Sequence, residues 1–335
     1  MPENLYVHFP FCRRKCRYCA LYSRVGVPPS AREAYVRRLA AVVTGWGQDP
    51  DGRLKTVYFG GGSPALCDLR PLFSALKARL ADEVEFTVEL HPLDVTDETL
   101  ERLRAGGVNR ISMGVQSLDD AALARMGRGY TADEAARAFS RVKRVFGNAG
   151  VDFIVGYPGD PCTGWERLAD WGLRHGSVYS LQNERGLADV PGDDWVLDRL
   201  RMVSAALAEI GLERYEISNY ARPGSECRHN LAVWRGEDYF GLGAGASGRI
   251  GLRRTRNLGT CAHEAEETVS PERDALERRI FRLRTREGLD STGYPAWGQA
   301  LEKFCETGLL TKEGAIYRLT ARGMEVCDSI LAELV

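Results

Sequence analysis

Three cysteines, Cys12, Cys16 and Cys19, stand C-x3-C-x2-C within LYVHFPFCRRKCRYCALYS, residues 5–23. Thiolates are ligands for soft metals. Three on one loop fall one short of a closed four-ligand site. They suit an iron–sulfur cluster with one iron left open to a small molecule. Arg13, Arg14, Lys15 and Arg17 crowd the loop, and positive charge favours thiolate over thiol. The residues alone leave two other readings open. One is a structural zinc with a fourth ligand such as His8. The other is three unrelated cysteines.

The elements that must position this loop are legible from periodicity. Leu5 to Phe9 alternates and reads as a strand. Pro10 stops it, having no N–H for a ladder. Further strands are expected at 55–59, 85–90, 110–116, 151–155 and 177–182. Helices are expected at 30–46, capped by Ser30, and at 69–81, 96–105, 133–146 and 164–174. About six strands alternating with helices mean parallel strands with helical crossovers. We expect an α/β fold, a partial (β/α)6 barrel, with a flat doubly wound sheet as the competing architecture. In a barrel the loops after the strands share one mouth. That would gather Cys12, Gly61, Glu89, Gln116 and Asp152. Residues 1–220 would form the barrel. Residues 221–269, rich in glycine and aromatics, would pack on it as ordered loops. Residues 270–335 would form a small winged-helix-like α+β module.

Several residues near the expected mouth carry chemistry. Gly60, Gly61 and Gly62 allow close backbone approach and N–H groups aimed at a carboxylate, although such a run is also an ordinary tight turn. Glu89 ends a strand, where its carboxylate can accept from ribose hydroxyls or simply be solvated. Arg128 can pair with a carboxylate as a fork or be a surface charge. Gln116 and Asp152 have similar standing.

Together these segments carry a resemblance. The C-x3-C-x2-C loop after YVHFPFC resembles the radical S-adenosylmethionine (SAM) superfamily. FGGGSP, VELHP, GVNRISMGVQS, MGRGY and VDFIVGYPGD follow in the order of its coproporphyrinogen III oxidase-like branch. YEISNYARPGSECRHNLAVWRGEDYFGLGAGA resembles the HemW-type haem chaperones within that branch. The resemblance implies a 4Fe–4S cluster on Cys12, Cys16 and Cys19, with SAM on the fourth iron. It implies that Tyr6, Tyr18, Gly61 and Glu89 contact that SAM. Gly62, Ser63, Gln116, Arg128 and Asp152 match positions around a second SAM-sized site. His229, in RHNLAVW, matches the family's HNxxYW motif linked to haem. The implied function is a haem chaperone that passes haem to an acceptor protein. The alternative is an enzyme that cleaves SAM to a 5′-deoxyadenosyl radical, acting on a porphyrinogen or as a two-SAM methyltransferase.

The sequence also departs from the family. Ala20-Leu21 stands where the chaperones carry Asp-Phe, and Leu21 where the oxidases carry a further cysteine. The oxidases' N-terminal extension is absent. These argue against oxidative decarboxylation of a coproporphyrinogen. Ser63 replaces a threonine, Tyr130 a histidine, and Val233 the tyrosine of the haem motif. The segment between Asn183 and Trp195 is shorter than the family's. His229 lies over two hundred residues after the cysteines, so the two sites should be separable by mutation.

Composition bounds the rest. The chain has 335 residues and a net charge of −1, with pI near 6.6, which argues against nucleic acid or an anionic membrane as the main partner. Nine cysteines, three of them on one loop, read as ligands in a reducing compartment. Cys67, Cys162, Cys227, Cys261, Cys305 and Cys327 read as small apolar residues. No apolar run reaches the roughly 18 residues of a membrane helix, and the first strand begins too early for a signal peptide. A cytoplasmic location is expected. In the C-terminal module Lys303, Lys312, Arg318 and Arg322 mix with five acidic residues, so it lacks the basic stripe of a nucleic-acid binder.

Overall fold

A computed structural model of the chain describes residues 2–46, 53–258, 265–293 and 295–334. Cys261 lies outside the described residues. Strands β1 (Asn4–Phe9), β2 (Leu54–Gly61), β3 (Leu80–Leu90), β4 (Arg110–Gln116), β5 (Asn148–Val155) and β6 (His175–Ser180) pair in sequence order, each parallel to the next. A doubly wound sheet would reverse its strand order at a switch point. No reversal occurs across these six strands, so the architecture is the partial barrel. Among the described residues the sheet does not close: it has twelve strands and two edges.

The alternation in each strand separates two environments. Leu5, Val7 and Phe9 of β1, Val57 and Phe59 of β2, Phe86 and Val88 of β3, and Ile111, Met113 and Val115 of β4 belong to one buried apolar core. The crossover helices supply the other side: α1 (Pro29–Gly45), α2 (Arg70–Leu76), α3 (Asp97–Ala105) and α5 (Ala132–Val145). Each such side chain contributes about 1.5–3 kcal/mol when fully buried. The intervening positions are polar: Asn4, Tyr6 and His8; Thr56 and Tyr58; Glu85, Thr87 and Glu89; Arg110 and Ser112; Asp152; His175 and Ser177. Hydrogen bonds join many of them inside the barrel. A closed (β/α)8 barrel fills its interior with branched apolar residues. This lumen is built to hold polar groups.

Element boundaries shift in instructive ways. Helix α1 starts at Pro29, with Pro28 at the cap and no side-chain cap bond, so Ser30 sits inside the first turn. The proline supplies the preset φ of a first helical position. The helix expected to reach 81 ends at Leu76, and a 3-10 turn leads into β3 at Leu80. The segment expected as a helix over 164–174 is a 3-10 helix, Trp165–Trp171, between two left-handed glycines. Helix α4 (Asp120–Met126), capped by Asp119, carries too little apolar pattern to have been foreseen.

The segment expected as ordered loops is largely strand and helix. Asn219–Ala221 pairs antiparallel with β6. After α6 (Asp193–Glu209) and the short α7 (Arg228–Trp234), β7 (Tyr239–Leu242) pairs parallel with β1 on the side away from β2. Three antiparallel strands, Ser247–Ile250, Arg253–Arg256 and Ala265–Thr268, continue that flank. Four-residue strands are too short to show a period.

The C-terminal module has its own apolar core, including Leu283, Leu301, Phe304, Tyr317 and Ile330. Helix α8 (Pro271–Leu283), a helix at Gly298–Glu306 and a three-stranded antiparallel sheet enclose it, as in a winged helix. Lys303, Lys312 and Arg318 each face a carboxylate, from Glu333, Glu302 and Glu313.

Candidate functional site

Strand β1 ends at Phe9, and the cysteine loop follows at once. Two backbone bonds tie this loop to the glycine turn after β2. Gly62 N donates to Phe9 O at 2.8 Å and Ser63 N to Phe11 O at 2.7 Å. Gly61 N donates to Glu89 Oε2 at 3.0 Å. The expected amide cradle is therefore engaged within the chain. What the glycines offer instead is bare Cα surface. A Cβ at Gly62 would stand 2.5 Å from Phe11 O and 2.9 Å from Cys12 Sγ. Gly61 has φ +103°, a value that favours glycine.

Two of the loop's four cations, Arg13 and Lys15, are engaged elsewhere. Arg13 Nε donates to Asp94 Oδ1 at 2.6 Å, and Ser63 Oγ donates to the other oxygen of Asp94 at 2.5 Å. Lys15 Nζ donates to Leu21 O and Ser23 Oγ. The guanidinium that reaches a cysteine is Arg128. Its Nη1 lies 3.3 Å from Cys16 Sγ and 3.2 Å from the Tyr18 hydroxyl. Its Nη2 donates to Gly114 O at 2.6 Å, and its Nε to the Tyr130 hydroxyl at 2.8 Å. Tyr130 in turn donates to the carbonyls of Gly114 and Val115. The tyrosine thus works as a buried brace for Arg128. Burial pushes the Cys12 thiol up, the neighbouring Cys19 and Cys16 add to that, and the Ser23 hydroxyl and Lys15 charge offset it only in part. A metal must therefore drive its deprotonation.

Gln116 ends β4 with φ +76°, beside a register break against β5. A Cβ at Gly114 would meet Gln116 Nε2 at 2.6 Å and Arg128 Nη2 at 3.4 Å. Gln116 and Arg128 therefore share one glycine's open face. Asp152, on β5, accepts from Ser112 Oγ at 2.9 Å. Burial holds its carboxyl above the usual range. The structure brings Cys16, Tyr18, Gln116 and Arg128 into one contact set, and Tyr6, Gly61 and Glu89 into another.

Glu89 is the hub of the second set. Its Oε1 accepts from the Tyr58 hydroxyl at 2.9 Å. Burial, and then the charge of Asp152, push its carboxyl up to about 7. His8 Nε2 donates to Tyr22 O at 2.8 Å, so its Nδ1 accepts from the Tyr6 hydroxyl at 3.0 Å. Both nitrogens of His8 are engaged, which removes it as a zinc ligand. Among the described residues no three His, Cys, Asp or Glu side chains converge on one ion. A cubane is bound at three separate irons, so its thiolates stand farther apart than the ligands of one ion. Three half-exposed thiols on one loop, a bare glycine face against Cys12 and a guanidinium beside Cys16 fit such a cluster.

A cavity of about 410 Å³ opens in the lumen. Tyr6, Tyr58, Glu89 and Tyr179 line one side, and His229, Asn230, Val233 and Trp234 of α7 line another. His229 is 4% exposed, so a ligand reaches it through the cavity. Its ring lies 5.4 Å from Tyr58 and 6.4 Å from Tyr6, between centroids. The Glu85 carboxylate of β3 accepts from the first amides of α7, Arg228 N at 2.9 Å and His229 N at 3.0 Å. That satisfies donors a helix start leaves open and fixes α7 in the lumen. Burial, and then the charge of Arg110, lower His229 to about 3, so it is a neutral imidazole. The separation in sequence is misleading: β7 carries α7 back to β1, and His229 shares a cavity with Tyr6 and Glu89.

Sequence reasoning missed Thr56, Tyr58, Glu85, Asp94, Arg110 and the role of Tyr130. The polar half of each strand's alternation was the available signal for the strand residues. No helix of the described residues is long and apolar enough to cross a membrane.

Comparison with known proteins agrees with this fold. The radical SAM superfamily model matches residues 6–172. The heme chaperone HemW of Bacillus subtilis is 30% identical, over 99% of this chain and 100% of its own length. The HemW of Synechocystis is 32% identical, over 89% and 82%. The structure of coproporphyrinogen III oxidase (HemN) from Escherichia coli superposes with a TM-score of 0.80 at 21% identity, covering 99% of this chain and 89% of that one. With a lumen, cysteine loop and glycine turn of this form, the chain belongs to the radical SAM superfamily and, within it, to the HemW family.

Proposed function

We propose that this chain is a haem chaperone of the radical SAM type, which binds haem and hands it to an acceptor protein in the cytoplasm. The observation that carries the reading is His229, a neutral, buried imidazole lining a cavity walled by aromatic rings. A neutral imidazole is a common axial ligand of haem iron. The same cavity reaches Glu89 and Tyr6, the residues we assign to SAM.

In this reading Cys12, Cys16 and Cys19 hold the 4Fe–4S cluster. When bound, the cluster supplies a site that orients SAM and a route for single electrons. The chain's residues do the remainder. Tyr18 and Arg128 fix Cys16. Gly61 and Gly62 keep the floor clear of side chains. Glu89 accepts from ribose hydroxyls. Gln116, Arg128, Ser63 and Asp152 line the second SAM-sized site. His229 would supply one nitrogen to the iron, and Tyr6, Tyr58 and Trp234, which line the same cavity, would exclude water from it.

The test is a haem titration of the anaerobically purified, cluster-loaded chain. Wild type should give a Soret band that saturates, and His229→Ala a lower affinity and a shifted maximum with the cluster spectrum intact. A variant that binds haem as wild type does would remove His229 as the ligand.

A further inference from the structure

An axial histidine must keep one ring nitrogen unprotonated, and the partner of its other nitrogen decides which one. In this chain that choice follows from a line of hydrogen bonds through the floor of the barrel. Asn4 Nδ2 donates to Glu237 Oε2 at 3.3 Å and to Asp238 O at 3.1 Å. Both partners are acceptors, so the amide cannot be flipped. Asn4 Oδ1 therefore faces Thr56 and accepts its hydroxyl proton at 2.8 Å. A hydroxyl has one proton to give. Thr56 Oγ1 must then act as acceptor toward His229 Nδ1, 2.8 Å away. Nδ1 carries the proton, and Nε2 keeps its lone pair. Among the described residues Nε2 has no hydrogen-bond partner.

We infer that Thr56, held by Asn4, is a positioning residue that fixes His229 in the Nδ1–H tautomer and so presents Nε2 as the iron ligand. The inference rests on the haem-binding reading above and names what makes that histidine competent. The direction is enforced from the far end: an acidic side chain and a carbonyl on the Trp234–Tyr239 turn orient Asn4, Asn4 orients Thr56, and Thr56 orients His229. Every group in this line lies on β1, β2, α7 or the turn before β7. The line also explains why a polar threonine occupies a buried position facing the lumen.

The discriminating variant is Thr56→Val, which keeps the shape and removes the hydroxyl. It leaves Nδ1–H without an acceptor and allows the ring to change tautomer. Haem titration of the cluster-loaded chain should show affinity lower by roughly 10- to 100-fold, the range for loss of a group that orients a metal ligand. The ferric haem EPR signal should change as well. Thr56→Ser restores the hydroxyl and should restore both. His229→Ala serves as the reference. If His229→Ala loses affinity while Thr56→Val binds with wild-type affinity and spectrum, the inference is overturned and the haem reading stands. If Thr56→Ser is as impaired as Thr56→Val, packing is the cause and the inference is overturned. If His229→Ala binds as wild type does, both fall. The cluster absorbance and melting temperature of Thr56→Val, measured without haem, show whether the barrel is intact.

Discussion

The ring of Tyr6 stacks on the ring of His229, with 6.4 Å between centroids and 30° between planes. One of these residues we assign to SAM and the other to haem. They are walls of a single cavity, so ligands at the two ends are not independent. Adding SAM should change haem affinity by at least about fivefold, the lower end of ordinary coupling between sites. Soret titrations with and without SAM measure this. Identical curves would mean that the two ligands occupy separate chambers.

Glu89 gives the account a pH dependence. Its carboxyl titrates near 7 in the folded chain, against roughly 4.3 for an ordinary glutamate. A raised carboxyl contributes stability in its protonated form. That contribution is complete below the ordinary value and is lost as pH rises through about 7. Glu89→Gln mimics the protonated form. Its melting temperature, relative to wild type without SAM, should therefore rise between pH 5 and pH 8. SAM affinity of wild type should rise over the same range, because ribose hydroxyls donate to the ionised carboxylate. The variant should bind weakly at both pH values.

Arg128 braces the second half of the site. It makes four polar contacts, to Cys16, Tyr18, Gly114 and Tyr130, and is 6% exposed. Arg128→Met removes these donors and leaves buried acceptors unpaired. The loss of stability should be on the order of 2–4 kcal/mol, read by chemical denaturation, and iron loading should fall. Unchanged stability would show that the guanidinium is not held as described.

Gly62 separates fold from cluster. Its missing Cβ makes room for two carbonyls and Cys12 Sγ. Gly62→Ala should cost about 1–3 kcal/mol of overpacking and displace the cysteine loop. Circular dichroism should stay that of the barrel while iron and sulfide per chain drop. Full iron content in this variant would place Cys12 outside the cluster.

How much of this was legible depended on the length of each signal. The six strands carry enough alternation to give both the barrel and its polar lumen. The cysteine spacing is local and needs no fold to be read. The tethering of Gly62 and Ser63 to Phe9 and Phe11 was not legible, because it is set by register between residues 52 positions apart. The proximity of His229 to Tyr6 was hidden for a related reason. It depends on β7, a four-residue strand in a glycine- and aromatic-rich stretch that looks like loop. The basic loop was legible only in part. Arg13 and Lys15 find partners at Asp94, Leu21 and Ser23, Lys15 still lowers the Cys12 thiol, and the guanidinium that reaches Cys16 comes from a residue 112 positions away.

The most direct measurement combines both ligands. The cluster-loaded chain is incubated anaerobically with haem, SAM and a reductant, and bound haem and released 5′-deoxyadenosine are quantified together. A chaperone with His229 as ligand should hold haem in fixed stoichiometry to the chain, return the porphyrin chemically unchanged, and release 5′-deoxyadenosine only at background. A chain that binds no haem, and that releases 5′-deoxyadenosine rapidly when a porphyrinogen is added, would contradict the account.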